Sequence, residues 1–209
     1  MEKNVYSLYR VLSDPTMFRE FQDRCELLYY CADIRADCKK QLERNDLTVV
    51  DRAFYYFVIN RLSYNGCGSF CKNVAQRRGM SKSVADFLSS IDHLGDVHRR
   101  LQRVIVTNQD GIGLISQYSR PDAFIYCDPP YEQSTRTEAR YTCDMDSKEH
   151  IRFLDTCLKS KAKILISGYD CGLYDVLTAH NFTKEQFEVH TTSGNKKPKT
   201  KIEMLWKNY

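Results

Sequence analysis

The sequence predicts an α/β fold with a helical first half, and three observations predict it. Near the N-terminus apolar residues recur three and four apart, the spacing of one helix face. From Val104 onward, short apolar runs alternate with amphipathic stretches, the pattern of strands joined by helices. Nowhere does an apolar run approach the about 20 residues that span a membrane.

The elements follow in order. Val5, Leu8, Tyr9 and Leu12 mark a first helix, which Ser13-Asp14-Pro15 stops. The pattern predicts a second helix from Met17 to Cys31. Thr48 opens a third, with Asp51 three residues on as a capping-box partner; it runs through Ala53, Phe54, Phe57 and Val58. It ends near the loop Asn60-Arg61-Leu62-Ser63-Tyr64-Asn65-Gly66. Val104–Thr107, Ala123–Tyr126 and Lys163–Ser167 read as strands. Ile151, Leu154 and Leu158 form a helix face between the last two, capped by Asp146 or Ser147. Gln186–His190 and Ile202–Lys207 read as a closing hairpin around the polar loop Ser193–Lys199. No internal repeat or low-complexity tract interrupts the pattern.

The 209 residues suffice for one cored domain, or one domain plus a small lobe, and their 42% hydrophobic and 28% charged residues suit a soluble chain. An odd count of nine cysteines and an N-terminus without an apolar leader predict free thiols in a reducing cytoplasm. Cys67 and Cys71 are close enough to share a metal, but His93 and His98 come much later and no second close pair completes a site, so no metal is expected. The net charge of +4 permits nucleic-acid binding without requiring it. Arg77, Arg78 and Lys82, and later Lys196, Lys197, Lys199 and Lys201, form basic clusters that read either as phosphate contacts or as solvated surface. His93 and His98 are expected to be solvated, and His150, in a helix's first turn, to be structural.

Asp128-Pro129-Pro130-Tyr131 follows the strand Phe124-Ile125-Tyr126 directly. In an open α/β sheet, ligand sites lie just beyond the carboxyl ends of strands. The two prolines stiffen the backbone and donate no N–H, so nearby carbonyls stay available as acceptors. Asp128 adds a carboxylate acceptor, and Tyr131 a face for stacking. Two acceptors beside an aromatic ring suit an exocyclic amine on a base that has left its duplex. The competing reading is a plain turn.

This tetrapeptide resembles motif IV of the amino-methyltransferases, and its surroundings resemble the D12 class of N6-adenine-specific DNA methyltransferases, the GATC-type family. Asn60-Arg61 with Tyr64-Asn65-Gly66 is similar to that family's NR-x-x-YNG segment. Val104–Asp110 is similar to its strand ending in an acid near the target base. Leu165-Ile166-Ser167, the tail Lys201–Leu205 with Asn208-Tyr209, and the opening NVYSLYRVLSDP also resemble family segments, so the likeness runs along nearly the whole chain. It implies an incomplete class I, Rossmann-like methyltransferase sheet with a helical DNA-recognition lobe: residues 1–35 as helices after two absent strands, 36–103 as the lobe, and 104–209 as the catalytic part.

What the resemblance implies for residues is specific. Asp128 and the Pro129 carbonyl hold the adenine amine, with Pro130 keeping the turn rigid, and Asp128 also nears the donor, S-adenosylmethionine. Tyr131 stacks on the flipped base. Arg61, Tyr64 and Asn65 contact double-stranded DNA, Tyr64 as a wedge, while Asp110 lies near the base and Lys196, Lys197, Lys199 and Lys201 meet phosphates. For Tyr64-Asn65-Gly66 a simple turn competes, and for Asp110 a helix cap. Gly111-Ile112-Gly113 is a weak match to a glycine-rich donor turn, lacking its third glycine. Because the likeness starts after the family's donor-binding glycines, that piece is expected from upstream residues or from a complementing polypeptide. A DNA-binding or regulatory relic without catalysis is the alternative function. The target sequence, and whether a restriction enzyme accompanies the chain, do not follow from these residues.

Overall fold

Asp14 makes the first corner. In the computed structural model, which describes residues 2–66, 68–73, 75–132, 144–191 and 199–209 (side chains of 65, 190, 191, 199 and 201 excepted), α1 (Lys3–Ser13) ends there and α2 (Pro15–Glu26) begins. The Asp14 carboxylate accepts from the N–H groups of Thr16 and Met17, both at 2.9 Å, and Pro15 occupies the first helical position.

The second helix stops at Glu26, short of the expected Cys31, and a helix the sequence pattern does not announce, α3 (Ala32–Leu42), follows. Tyr30 explains the break. Its ring packs against Phe70 and Phe87, centroids 4.9 and 5.7 Å away, and its hydroxyl donates to the Cys71 carbonyl at 2.6 Å. A continued helix forgoes these contacts, and tertiary packing outweighs helix propensity.

Thr48 and Asp51 cap α4 (Val49–Arg61) reciprocally, as expected. Its Ala53, Phe57 and Val58 are buried against Val11, Phe21 and Cys25. Arg24 joins α2 to α4, 3.0 Å from Asp51 and stacked over Phe54 at 4.2 Å. A short hairpin, β1 (Gln76–Arg77) with β2 (Met80–Ser81), turns through Arg78 and Gly79 at φ of 54° and 74°. Helices α5 (Lys82–Asp92) and α6 (Leu94–Leu101) complete this core. His98 departs from the solvated state expected of it: its ring stacks on Phe18, centroids 4.2 Å apart, and Nδ1 donates to the Leu12 carbonyl at 2.7 Å.

Val104–Thr107 is not a strand. Ile105 is 88% exposed, and Val106 leans on the helical core. Apolar composition alone does not make a strand: the ladder needs a partner, and no described residue pairs with this segment.

The chain divides into two compact units, Met1–Asn108 and Gln109–Tyr209. The second is α/β, as predicted. It contains α7 (Gly111–Gln117), β3 (Phe124–Cys127), α8 (Ser147–Lys159), β4 (Lys163–Gly168), α9 (Asp175–Ala179), β5 (Thr183–Thr191) and β6 (Lys199–Lys207). The sheet order is β3-β4-β6-β5, with β3 parallel to β4 and the other pairs antiparallel. Asp146 and Glu149 box the start of α8. Ile164, Ile166 and Trp206 are fully buried with side chains of α7, α8 and α9. By strand alternation Tyr126, Leu165 and Ser167 lie on the opposite face, where Phe124 and Tyr126 are each 56% exposed. Among the described residues the outer edge of β3 is unpaired.

Candidate functional site

β3 delivers Asp128 to the carboxyl end of the sheet. The parallel register sets Tyr126 beside Leu165 and Cys127 beside Ile166, so Asp128 emerges next to Ser167. The Asp128 side of the turn is exposed, while Pro129, Pro130 and Tyr131 are half-buried. Ser167 donates to Asp128 Oδ1 at 3.0 Å, and its Oγ is also 3.0 Å from the Tyr126 hydroxyl. Among the described residues nothing else bonds to the Asp128 carboxylate, nor to the Pro129 carbonyl. One carboxylate oxygen is therefore fixed and the other open.

The Tyr131 ring meets Tyr169 edge-on, centroids 4.6 Å apart at 68°. Tyr169 follows β4, and its neighbour Asp170 pairs with Lys184 at 2.6 Å. Beneath the turn lie two neighbouring buried thiols, and their mutual hydrogen bond together with burial pushes the Cys157 thiol far up, keeping it protonated. His150 is fully buried, with Nδ1 3.1 Å from the Tyr174 hydroxyl, in keeping with a structural role. The seven described cysteines are all free.

The other sequence-predicted residues lie elsewhere. Asp110 caps α7 by accepting from the Ile112 N–H at 3.2 Å, and it pairs with Arg152 at 2.7 Å; that guanidinium holds its carboxyl below the usual range. Gly111-Ile112-Gly113 is the first turn of α7, not a strand-to-turn segment. Arg61 ends α4 with its guanidinium 5.5 Å from the Phe57 ring. Tyr64, 46% exposed, opens the tight turn Tyr64–Gly66, and Gly66 needs its φ of 74°. The backbone of Asn65 lies in that turn. Lys199 and Lys201 begin β6, with side chains outside the description, and Lys196 and Lys197 fall outside the described residues, as does Cys67.

Sequence reasoning passes over Arg35 and the role of Ser167, and it groups Arg78 with Arg77 and Lys82 in one basic cluster without distinguishing it. Arg35, on the unannounced α3, donates from Nε to Ser63 Oγ at 2.8 Å and from Nη2 to the Gly68 carbonyl, bracing the Tyr64 turn. Arg78 stands at the tip of the β1–β2 hairpin without an ion pair among the described residues, whereas Arg77 and Lys82 are both bound by Asp86. Ser167 reads only as part of a strand. The signal for Arg78 is the Arg-Gly pair within a two-residue turn; Arg35 and Ser167 carry none, since their partners are 28 and 39 residues away.

Residues 2–193 match the family model of the D12 class N6 adenine-specific DNA methyltransferases. The chain belongs to that family. No curated protein matches it. The family methylates adenine in DNA. Among the described residues no helix is long and apolar enough to cross a membrane.

Proposed function

We propose that the chain transfers a methyl group from S-adenosylmethionine to N6 of a flipped adenine in DNA, through Asp128-Pro129-Pro130-Tyr131. The observation carrying this is the exposed Asp128 carboxylate with one oxygen held by Ser167 and, among the described residues, no partner on the other or on the Pro129 carbonyl beside it. The amine offers two N–H groups. With one on each acceptor, its lone pair turns away from the protein and toward an incoming methyl. The base must leave the duplex to reach this turn, and Tyr131, its plane set by Tyr169, supplies the stacking face. A sulfonium cation fits beside an open carboxylate; the donor supplies the electrophilic methyl, and the chain supplies position and charge.

The helical lobe, residues 36–103, is read as the DNA-facing part. Arg61, Tyr64 and Asn65 lie at its braced turn, and the loop with Lys196, Lys197, Lys199 and Lys201 adds phosphate contacts. The outer edge of β3, unpaired among the described residues, supports a Rossmann-like sheet completed by a further strand. The strand we assign to that edge is a glycine-rich donor-binding one, carried by a complementing polypeptide.

The test is incorporation of labelled methyl from S-adenosylmethionine into DNA, alone and with candidate complementing chains, followed by nucleoside analysis for N6-methyladenine. Asp128→Ala is expected to lower transfer by roughly a hundredfold or more. Transfer that survives Asp128→Ala overturns the assignment. DNA binding with no transfer under any of these conditions supports the regulatory relic instead.

A further inference from the structure

Proton counting gives the hydroxyl cluster behind Asp128 a direction. An ionised carboxylate only accepts, so the single Ser167 hydroxyl proton belongs to Asp128 Oδ1, 3.0 Å away. The competing acceptor, the Cys127 carbonyl, is farther at 3.5 Å. With its proton committed, Ser167 Oγ must accept from the Tyr126 hydroxyl at 3.0 Å. The chain therefore runs Tyr126 to Ser167 to Asp128. Its middle member is 5% exposed and fixed by the β3–β4 register, whereas Tyr126 and Asp128 are exposed at either end.

We propose that Ser167, oriented by the Tyr126 hydroxyl, is a positioning residue that pins one oxygen of Asp128 so that the other is presented to the base amine. This rests on the methyl-transfer reading of Asp128. A carboxylate on a turn without such a donor rotates freely, and misplacement by about 1 Å costs up to a hundredfold in rate. The bond from Ser167 is charge-assisted and engages one carboxylate oxygen, so the serine holds Asp128 without consuming its second oxygen.

Two measurements test it. In steady-state methyl transfer to unmethylated duplex DNA, Ser167→Ala is expected to lower kcat roughly ten- to a hundredfold with the KM for DNA within about twofold of wild type. Tyr126→Phe should lose about two- to fivefold, and Ser167→Thr should recover most of the rate. A merely structural role predicts a lowered melting temperature, a shifted KM and no rescue by threonine, and that result overturns the proposal. In aspartate-labelled protein, with Asp128→Asn identifying the signal, the Asp128 carboxyl carbon resonance should move in Ser167→Ala and Tyr126→Phe and return in Ser167→Thr. An unmoved resonance in Ser167→Ala also overturns it. Full activity of Ser167→Ala with an inactive Asp128→Ala removes this proposal alone, whereas full activity of Asp128→Ala removes the reading beneath it. If the wild-type chain shows no transfer, the carbon resonance decides whether the hydroxyl chain exists.

Discussion

The helical unit and the sheet unit solve burial differently. In the helical unit Val11, Phe21, Ala53, Val58 and Leu62 are fully buried, with α4 packed by α1, α2 and α3. In the sheet unit Ile164, Ile166 and Trp206 are just as buried, but on one face; on the other face of the sheet Phe124 and Tyr126 stay 56% exposed and Phe187 46%. The difference teaches that the sheet is a platform with one finished side, and that Tyr126, Asp128 and Ser167 belong to the unfinished one. The sharpest way to break the comparison is a pair of truncations. Trp206→Ala should cost about 3–5 kcal/mol in urea denaturation, while Phe124→Ala should cost less than about 1 kcal/mol. Equal losses would mean that the outer face is covered as tightly as the inner. Trp206→Phe should fall well below the alanine loss, because the buried indole N–H has no hydrogen-bond partner among the described residues.

Caps come next in size. Thr48→Ala removes half of the α4 box and should cost about 1 kcal/mol, and Asp146→Ala should cost about as much at α8 in the sheet unit. The Asp51 carboxyl titrates below its ordinary range, first because Thr48 donates to it and second because of Arg24. Its depressed folded value means that its stabilisation is complete above the unfolded value near pH 4 and is lost as pH falls through the folded one. Stability should therefore drop below about pH 4, and the drop should shrink in Asp51→Asn. An unchanged acid limb would remove Asp51 from the α2–α4 junction.

What was legible follows from how far apart the cooperating residues are. The Thr48-x-x-Asp51 box spans three residues and reads directly, whereas at α8 the sequence offers Asp146 or Ser147 as the cap and the structure chooses Asp146 and adds Glu149 as its box partner. β3, β4 and the β5–β6 hairpin read from runs of apolar or alternating residues, and Asp128 from its place after one of them. Val104–Thr107 has the same composition as those strands but no partner among the described residues, and composition does not report partners. Residues Ala32–Leu42 hide as a helix because only Cys38 is buried, so no apolar stripe marks them. His98 finds Phe18 and Leu12 across 80 and 86 residues, and Ser167 finds Asp128 only once the β3–β4 register is known. The residue proposed to act was legible; those that hold it in place were not.

Arg78 gives the smallest effect on stability and the cleanest separation of fold from function. It sits at φ of 54° in a two-residue turn, exposed, without an ion pair among the described residues, while Arg77 and Lys82 spend their charge on Asp86. Residues in that backbone region are strained unless small, so Arg78→Gly should be neutral or slightly stabilising, within about 0.5 kcal/mol. If the hairpin faces phosphate, the same change should weaken DNA binding at all sequences alike and lower the slope of log affinity against log salt by about 1. Arg77→Ala should do the opposite, loosening the hairpin by removing its ion pair to Asp86 of α5 while leaving the salt slope nearly unchanged. A salt slope that stays constant in Arg78→Gly would take the hairpin out of the DNA-facing surface and leave the Tyr64 turn as the lobe's sole described candidate.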